Sequence, residues 1–413
     1  MKYSIATNFD KELIHEIARL DKKNCIKVVY GKLKSDIVGG GRAAMILPEV
    51  SMQELKEYVD LCHENNLEFN YLLNPMCLGN KDLVKESRTK MMEFITQLVN
   101  LGIDWVTVNS PNLCKIVKTE FPHIKISVGL HACVSELQHI KNWVELGVNE
   151  ITLQLNNTRN FDLLENMLKF TKGTGVNLRV IANTFCLHNC SYRISHSTGQ
   201  AHASSTNEPT EKQFMDYYVM SCTRDKVNNP TNFVAADWIR PEDVKYYEGL
   251  SEKTGNYDFS IKLAERTKST SFLVRVVKAY LSRSYDGNLL DLMLWPSKET
   301  LAVEAGEKQQ QEIENMSQEE KEVFKTFVNF YHLPDVYVDN KKLNGFIEKF
   351  VNSYDCNQKV CGEYYSENNG MLKCSYCSKW AHDAVTFNDK QREDWLKESN
   401  VLLNEISKGT VIR

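Results

Sequence analysis

The amino-acid sequence predicts an α/β protein: a TIM-like (β/α)8 barrel followed by a smaller, cysteine-rich C-terminal domain. Over residues 1–265, short apolar runs alternate with longer amphipathic segments, a rhythm typical of a parallel sheet covered by helices. About eight such units occur, and eight is the number that closes a TIM-type barrel. An open, doubly wound sheet is the alternative.

Eight runs bounded by polar turn residues, several of them rich in Val and Ile, are the predicted strands. They are Tyr3–Thr7, Cys25–Tyr30, Leu67–Leu73, Asp104–Val108, Ile124–Leu130, Glu150–Leu155, Asn177–Thr184 and Tyr257–Leu263. Between them, the spacing of Leu55, Val59 and Cys62 is that of one helix face. In such a barrel the chemistry is expected at the carboxyl ends of the strands.

The composition changes after Trp295 and Pro296, which predicts a barrel domain at residues 1–295 and a second domain at residues 296–413. Residues 304–322 are rich in Glu, Gln and Lys, as expected of a solvated helix or a linker. The rest of the second domain is predicted to contain one strand and two helices around a cysteine-rich segment. These are Val336–Val338, Leu343–Asn352 and a helix near Lys390–Ile406.

The bulk composition of the 413 residues narrows the class of protein. Hydrophobic residues are 42% and charged residues 25%, which is ordinary for a globular protein. The net charge of −4 disfavours an RNA partner, because nucleic-acid-binding domains usually carry a basic face. No run of eighteen apolar residues occurs and the N-terminus turns polar early, so we expect a cytoplasmic protein with no membrane partner. Disulfides are rare in such a compartment, and the twelve cysteines need another explanation.

The C-terminal cysteines form the pattern Cys356-x4-Cys361-x12-Cys374-x2-Cys377. Two close pairs separated by a dozen residues let four thiolates converge on one ion or cluster. Tetrahedral sulfur coordination suits zinc and iron–sulfur alike, so the spacing leaves the choice of metal open.

A central group consists of Cys186 and Cys190, at the end of the seventh strand, and Cys222. They lie in a long stretch without periodicity, residues 186–232, and we expect metal to order it because loops of this length are usually functional or disordered. Three thiolates are one short of a four-iron ligand set. Either the fourth ligand is a further strand-end cysteine, or one iron stays open to act as a Lewis acid. The two candidates for the fourth ligand are Cys77 and Cys133.

These motifs resemble the collagenase-like peptidase family U-32 over roughly residues 25–290. The resemblance rests on Tyr30-Gly31, Gly39-Gly40-Gly41-Arg42, Asn183-x2-Cys186-x3-Cys190-x2-Arg193, Cys222 and Ile239-Arg240-Pro241-Glu242-Asp243. Despite the family's name, several members look like iron–sulfur proteins for oxygen-independent hydroxylation, of a ubiquinone precursor or of RNA bases. The resemblance thus implies one or two 4Fe-4S clusters here, or one cluster with zinc at the C-terminal site.

Carried over residue by residue, Cys186, Cys190 and Cys222 match three of the family's four cluster ligands. The fourth is expected a few dozen residues further on, and between Val219 and Lys262 Cys222 is the only cysteine. The sequence therefore departs from the family pattern at this ligand.

Several polar residues near the strand ends are candidates for substrate binding or catalysis. Gly40, Gly41 and Arg42 could cradle an anionic group with backbone N–H groups and a guanidinium. Lys262 and Arg266 flank the end of the eighth strand, where a cation could hold an acidic substrate. A plain flexible loop is the alternative for Gly40, Gly41 and Arg42.

Four further residues are candidate catalytic groups. Arg193 and His196 follow the central cysteines and could bind substrate, with a solvated loop as the alternative. Arg240 lies just before a predicted helix start at Pro241 and could still face the pocket. His131 could activate Cys133 as a peptidase nucleophile. A zinc-protease motif is missing from the sequence, because the two His-Glu pairs lack the second His one turn later.

Three hypotheses follow for the function. The first is an iron–sulfur enzyme that modifies a small molecule, a peptide or RNA, with oxygen-independent hydroxylation as its reaction and an electron donor as its partner. The second is a non-catalytic iron–sulfur or zinc protein that docks a partner protein in a modification complex. The third is a cysteine-type or metal-dependent peptidase.

Overall fold

The computed structural model describes residues 1–206, 216–296, 332–352, 363–366 and 372–409, together with the single positions 318, 330 and 356. Eight parallel strands form a closed barrel in the order β1 to β8, because β1 pairs with both β2 and β8. The TIM-like barrel is therefore confirmed and the open-sheet alternative is wrong. The strands are β1 Lys2–Ala6, β2 Ile26–Gly31, β3 Glu68–Leu73, β4 Trp105–Val108, β5 Lys125–Val128, β6 Glu150–Thr152, β7 Asn177–Ile181 and β8 Phe259–Leu263.

Helices surround the barrel in the predicted alternation and bury their apolar faces against the strands. They are α1 Lys11–Leu20, α2 Met52–Glu64, α3 Lys85–Asn100, α4 Pro111–Glu120, α5 Leu137–Glu145, α6 Phe161–Thr171, α7 Arg193–His202, α8 Tyr217–Asn228, α9 Thr231–Ala235, α10 Val244–Thr254 and α11 Thr270–Ser282. Helix α2 begins with a complete capping box, in which Ser51 and Glu54 bond each other's backbone. Leu55, Val59 and Cys62 are fully buried on its inner face.

The barrel interior contains a polar layer around Arg179 of β7. Its guanidinium donates to Thr152 Oγ1 at 2.8 Å and to Ser127 Oγ at 2.9 Å, and it forms an ion pair with Glu150. Arg179 is 1% exposed, so these contacts replace the water that a buried guanidinium would otherwise need. The layer closes the centre of the barrel below its carboxyl-end rim.

The segment after β7, which the sequence presents as a long functional loop without periodicity, contains regular helices in its described part. Helices α7, α8 and α9 lie within it. Helix α7 has the sequence RISHSTGQAH, which carries no apolar stripe, and it is held by polar contacts to the segment after β2. In these contacts the Ala44 N–H donates to the Ala203 carbonyl and the Asp36 N–H to the Ser204 carbonyl.

The C-terminal elements pack against the barrel. They are β9 Val336–Val338, α12 Glu348–Asn352, β10 Tyr364–Ser366, β11 Leu372–Cys374, α13 Ser375–Ala384, β12 Val385–Phe387 and α14 Asp389–Ser407. Strand β9 and the last helix were predicted, whereas the predicted helix Leu343–Asn352 begins only at Glu348. Gly345, with φ of 88°, interrupts it because left-handed backbone cannot continue a helix. The predicted solvated helix at 304–322 lies almost wholly outside the described residues.

Two buried arginines join the C-terminal elements to the barrel. Arg240 binds Asp243 with two 2.8 Å hydrogen bonds and donates to the Asn340 carbonyl at 2.7 Å. The Arg159 guanidinium lies 4.5 Å from the Trp238 ring and 5.0 Å from the Phe346 ring. The domain boundary between residues 295 and 296 stays a prediction. No helix of the described residues is long and apolar enough to cross a membrane.

Replacing Arg240 with Ala should lower the free energy of unfolding by about 3–5 kcal/mol, because it leaves Asp243 buried without its partner. Arg19 is the matched control, since it makes the same two-bond contact with Glu16 on the surface of α1. The Arg19→Ala variant should be nearly unchanged, since exposed pairs contribute little. Urea denaturation measures both, and equal losses would contradict the role given to Arg240.

Candidate functional site

The loop after β2 is fixed at the carboxyl-end rim by a buried ion pair. Lys32 contacts the Asp36 carboxylate, which also accepts a 2.8 Å hydrogen bond from the Tyr71 hydroxyl. Its other oxygen accepts from the Val38 and Gly39 N–H groups at 2.9 and 2.8 Å. Burial lowers the pKa of Lys32, although the adjacent Asp36 carboxylate opposes this shift. The pair thus organises the glycine run that follows it.

The glycines of this loop are needed for close packing. A Cβ at Gly40 would lie 2.7 Å from Lys32 Cδ, and one at Gly41 would lie 2.7 Å from His131 Nε2. The Gly39 N–H is bonded to Asp36, and the Gly40 N–H donates to Ser204 Oγ at 2.6 Å. Because these two donors are already used, the loop is less suited to cradle an anion than the sequence suggested.

Arg42 of the same loop forms an ion pair across the rim. Its guanidinium contacts the Glu265 carboxylate, with Nη2 at 2.6 Å from Oε2. Burial opposes ionisation of Glu265, but the Arg42 charge outweighs it and the pKa of Glu265 is lowered. Arg42, which was predicted to bind an anionic ligand, is therefore already paired with the carboxylate of Glu265.

His131 lies among positive charges at the rim. Its pKa is lowered to about 3 by burial and by the charges of Arg42, His196, Lys262 and Arg193. The imidazole is therefore neutral near neutral pH, where it can take part in hydrogen bonds but is too weak a base to hold a proton. Four predicted site residues are thus brought close enough to act electrostatically on a fifth.

The central cysteines are brought together beside a buried lysine. Lys226 is 2% exposed, and its Nζ lies 3.6 Å from Cys222 Sγ. Burial raises the pKa of Cys186 to about 11, and the Lys226 charge opposes this shift while the Cys222 thiolate adds to it. Burial also raises the pKa of Cys222, where Lys226 again opposes and Cys190 adds. Cys186 and Cys190 are therefore each close enough to Cys222 to interact electrostatically, and Lys226 is a partner that sequence reasoning missed.

The Asp237 carboxylate holds the loop between Cys186 and Cys190. The sequence did not identify this residue. Asp237 is 1% exposed, and it accepts from His188 Nδ1 at 2.8 Å and lies 3.9 Å from Arg193. Burial opposes protonation of His188, but Asp237 outweighs it and raises its pKa. Arg193 is therefore oriented by a buried anion rather than solvated. One guanidinium nitrogen of Arg193 is enclosed without a hydrogen-bond partner in the described part of the chain.

The C-terminal cysteines and Cys190 share one cavity of about 440 Å³. Its thiol lining is Cys190, Cys356, Cys374 and Cys377. A hydrogen bond to Cys374, together with burial, raises the pKa of the Cys377 thiol well above its usual range. One cysteine of the central group and three C-terminal cysteines, which are far apart in the sequence, therefore line the same cavity.

The donor set fits a thiolate-bound metal in its chemistry, because soft sulfur donors select iron–sulfur clusters and zinc. Among the described residues, no three His, Cys, Asp or Glu side chains lie close enough to hold a metal ion as they stand. Cys361, the remaining predicted ligand, lies outside the residues that the structure describes. The metal assignment therefore stays a prediction.

The other predicted residues lie apart from the thiols or are held by structural contacts. Cys77 is exposed and accepts from the Gly79 N–H. Cys133 directs its thiol to the His131 carbonyl at 3.7 Å, away from the imidazole. His196 lies 3.2 Å from Asp216. The buried contacts of Arg240 favour a structural role over a catalytic one.

These features define a TIM-barrel protein whose carboxyl-end rim gathers basic side chains and thiols. The model of peptidase family U32 matches residues 40–331, and the chain belongs to that family. Uncharacterized protease MJ1657 of Methanocaldococcus jannaschii is 27% identical over 381 residues, which are 91% of this chain and 95% of that protein. The solved U32 peptidase Mk0906 has a TM-score of 0.46 and 17% identity, covering 64% of this chain and 93% of that one.

Replacing Gly41 with Ala should lower the free energy of unfolding by about 1–3 kcal/mol, because the added methyl group overlaps the His131 ring. Gly249 in α10 is the control, since a Cβ there meets no atom within 4 Å. Gly249→Ala should stabilise the protein by about 0.5–1 kcal/mol through helix propensity. Thermal and urea unfolding measure both, and a neutral Gly41→Ala would mean that His131 does not pack there.

Proposed function

We propose that this U32-family protein is an iron–sulfur enzyme that modifies a polar substrate at the carboxyl end of its barrel. The observation that carries the proposal is the buried ammonium group of Lys226 against Cys222, with Cys186 and Cys190 as neighbours. Lys226 makes no ion pair with a carboxylate among the described residues. A buried cation needs an anion, and the thiolates that metal binding would generate from these cysteines would supply it.

The cavity shared by Cys190 and the C-terminal thiols supports the same proposal. Cys190 belongs to the loop after β7, whereas Cys374 and Cys377 lie at the start of α13. Disulfide bonding does not account for Cys190 and Cys377, which form no disulfide with any described residue. A thiol-lined cavity built from two parts of the chain is suited to a cluster, or to a cluster and a zinc ion.

When bound, a cluster would supply electron transfer or a Lewis-acidic iron. The chain's own residues would hold the substrate beside it. Neutral His131 can accept a hydrogen bond, and Arg193 lies beside the buried Asp237 carboxylate with its Nη2 unbonded among the described residues. Oxygen-independent hydroxylation is the reaction we propose, in the reducing cytoplasm. A C–H bond of the substrate would be replaced by C–OH with oxygen from water, and the two electrons and two protons released would pass to an electron-accepting partner protein and to solvent.

A peptidase mechanism is less well supported. The Cys133 thiol donates to the His131 carbonyl oxygen, so thiol and imidazole do not form the nucleophile–base contact that a cysteine peptidase needs. The imidazole instead packs on Gly41. The polar rim also gives the protein a substrate pocket of its own, which a purely non-catalytic partner would not require.

Purification without oxygen should give a coloured protein with about four irons per chain for one cluster and about eight for two. Iron, acid-labile sulfide and the visible spectrum measure this. Cys190→Ser should lose iron, because it removes a thiolate of the central group from the cavity that Cys356, Cys374 and Cys377 also line. Cys25→Ser is the matched control, a half-buried cysteine at the opposite end of the barrel, and should keep the full iron content.

Comparing the Cys186→Ser and Cys374→Ser variants shows whether the central and C-terminal thiols bind one cluster or two. If Cys186→Ser and Cys374→Ser each abolish all the iron, the two groups serve one cluster. If each removes half, two clusters are present. Colourless wild-type protein that contains only zinc would contradict the iron–sulfur proposal.

A further inference from the structure

Two basic side chains at the end of β8 have no acidic partner. Arg266 is 4% exposed, and its Nη1 is enclosed without a hydrogen bond in the described part of the chain. Lys262 is half-buried, and its Nζ lies 3.6 Å from the centre of the Tyr30 ring. Neither side chain forms a hydrogen bond or an ion pair with any residue that the structure describes.

The carboxylates near these cations are already engaged. Glu265 is paired with Arg42, Asp36 with Lys32, and Glu150 with Arg179. Each of these pairs is neutral as a whole, so Lys262 and Arg266 are left as excess positive charge at the rim. This excess occurs in a chain whose net charge is −4, and it is therefore local rather than a consequence of composition.

Holding Arg266 out of water, and Lys262 partly out of water, costs the folded protein stability. Burial lowers the pKa of Lys262 well below its usual value, and the Arg179 charge adds to the shift. Burial likewise lowers the pKa of Arg266 to about 10, although Glu265 opposes it. Unpaired groups of this kind are uncommon in protein interiors except where they serve a ligand.

Unpartnered acceptors face the same rim from other strands. The side-chain oxygens Asn74 Oδ1, Asn109 Oδ1 and Gln154 Oε1 are enclosed without a hydrogen-bond donor among the described residues. They follow β3, β4 and β6. A ligand that satisfies the whole rim would therefore carry an anionic group for the cations and hydrogen-bond donors for these oxygens.

We propose that Lys262 and Arg266 bind an oxyanion, a carboxylate or a phosphate, on a small polar substrate at the carboxyl end of the barrel. The planar guanidinium can bind such a group through two nitrogens, and the ammonium adds a point charge. This inference rests on the proposed function only in placing the substrate at the rim, and it requires no metal.

Isothermal titration with inorganic phosphate and with succinate tests the proposal. At least one of the two anions should bind saturably, and Lys262→Met and Arg266→Met should each weaken that binding at least tenfold. Lys23→Met and Arg88→Met remove the same charges from exposed positions and should bind as the wild type does. Binding of phosphate alone would identify a phosphorylated substrate, and binding of succinate alone a carboxylate.

Thermal unfolding in anion-free buffer separates a binding role from a structural one. Lys262→Met should raise Tm, because it replaces an unpaired cation with an apolar side chain of similar length. A residue that merely supports the fold would instead lower Tm when it is replaced. Loss of binding together with a gain in Tm is therefore the expected result.

The proposal is overturned if neither anion binds the wild type saturably, or if the Lys262→Met/Arg266→Met double variant binds as tightly as the wild type. The same titration on the Cys190→Ser chain separates this inference from the iron–sulfur proposal. Because the oxyanion site requires no metal, this variant should still bind the anion. If the wild type contains no iron and the anion still binds, only the cluster is disproved. If iron is present and the anion does not bind, only the oxyanion site is disproved.

Discussion

Closure of the barrel brings charges from distant parts of the chain to one rim, where each buried ion needs a partner because little water reaches it. Arg42 and Glu265 are far apart in sequence and meet only because β8 pairs with β1. The pair between Lys32 and Asp36 fixes the loop that carries Arg42. The shape of the pocket thus depends on these ion pairs, and its remaining chemistry depends on the groups that they leave unpaired.

The sequence was sufficient to predict the barrel, because each strand is a short apolar run with polar residues at both ends. It also located Cys186, His131 and Lys262 correctly near the rim, since the carboxyl-end rule needs only strand positions. The helices after β7 could not be predicted this way. Helix α7 is held by contacts to the β2 loop, and such long-range hydrogen bonds leave no periodicity in the local sequence.

Pairings were the part of the site that the sequence could not provide. Arg42 was expected to bind an external anion, but it forms an ion pair with Glu265. No feature of the sequence near either residue indicates this pairing. Arg240 was expected to face the pocket. Instead its guanidinium donates two hydrogen bonds to Asp243, three residues later in the chain. In the sequence, Lys226 looks like an ordinary helix residue. Only its burial beside Cys222 marks it as a residue of the candidate site. Ion-pair partners can be assigned only from the distances between side chains, and the folded structure provides those distances.

The closed strand order sets the direction in which a substrate can lie. In a barrel of eight strands, β4 is opposite β8, so the acceptor that follows β4 faces the cations that follow β8. The loop after β7, which carries Cys186 and Cys190, lies between these two sides. A substrate anchored by its anionic group at Lys262 and Arg266, with its donors toward Asn74 and Asn109, would therefore cross the mouth of the barrel beside the thiols. The same rim can thus bind and orient the substrate for a redox step, because its unpaired donors, its unpaired acceptors and its sulfur atoms occupy different sectors.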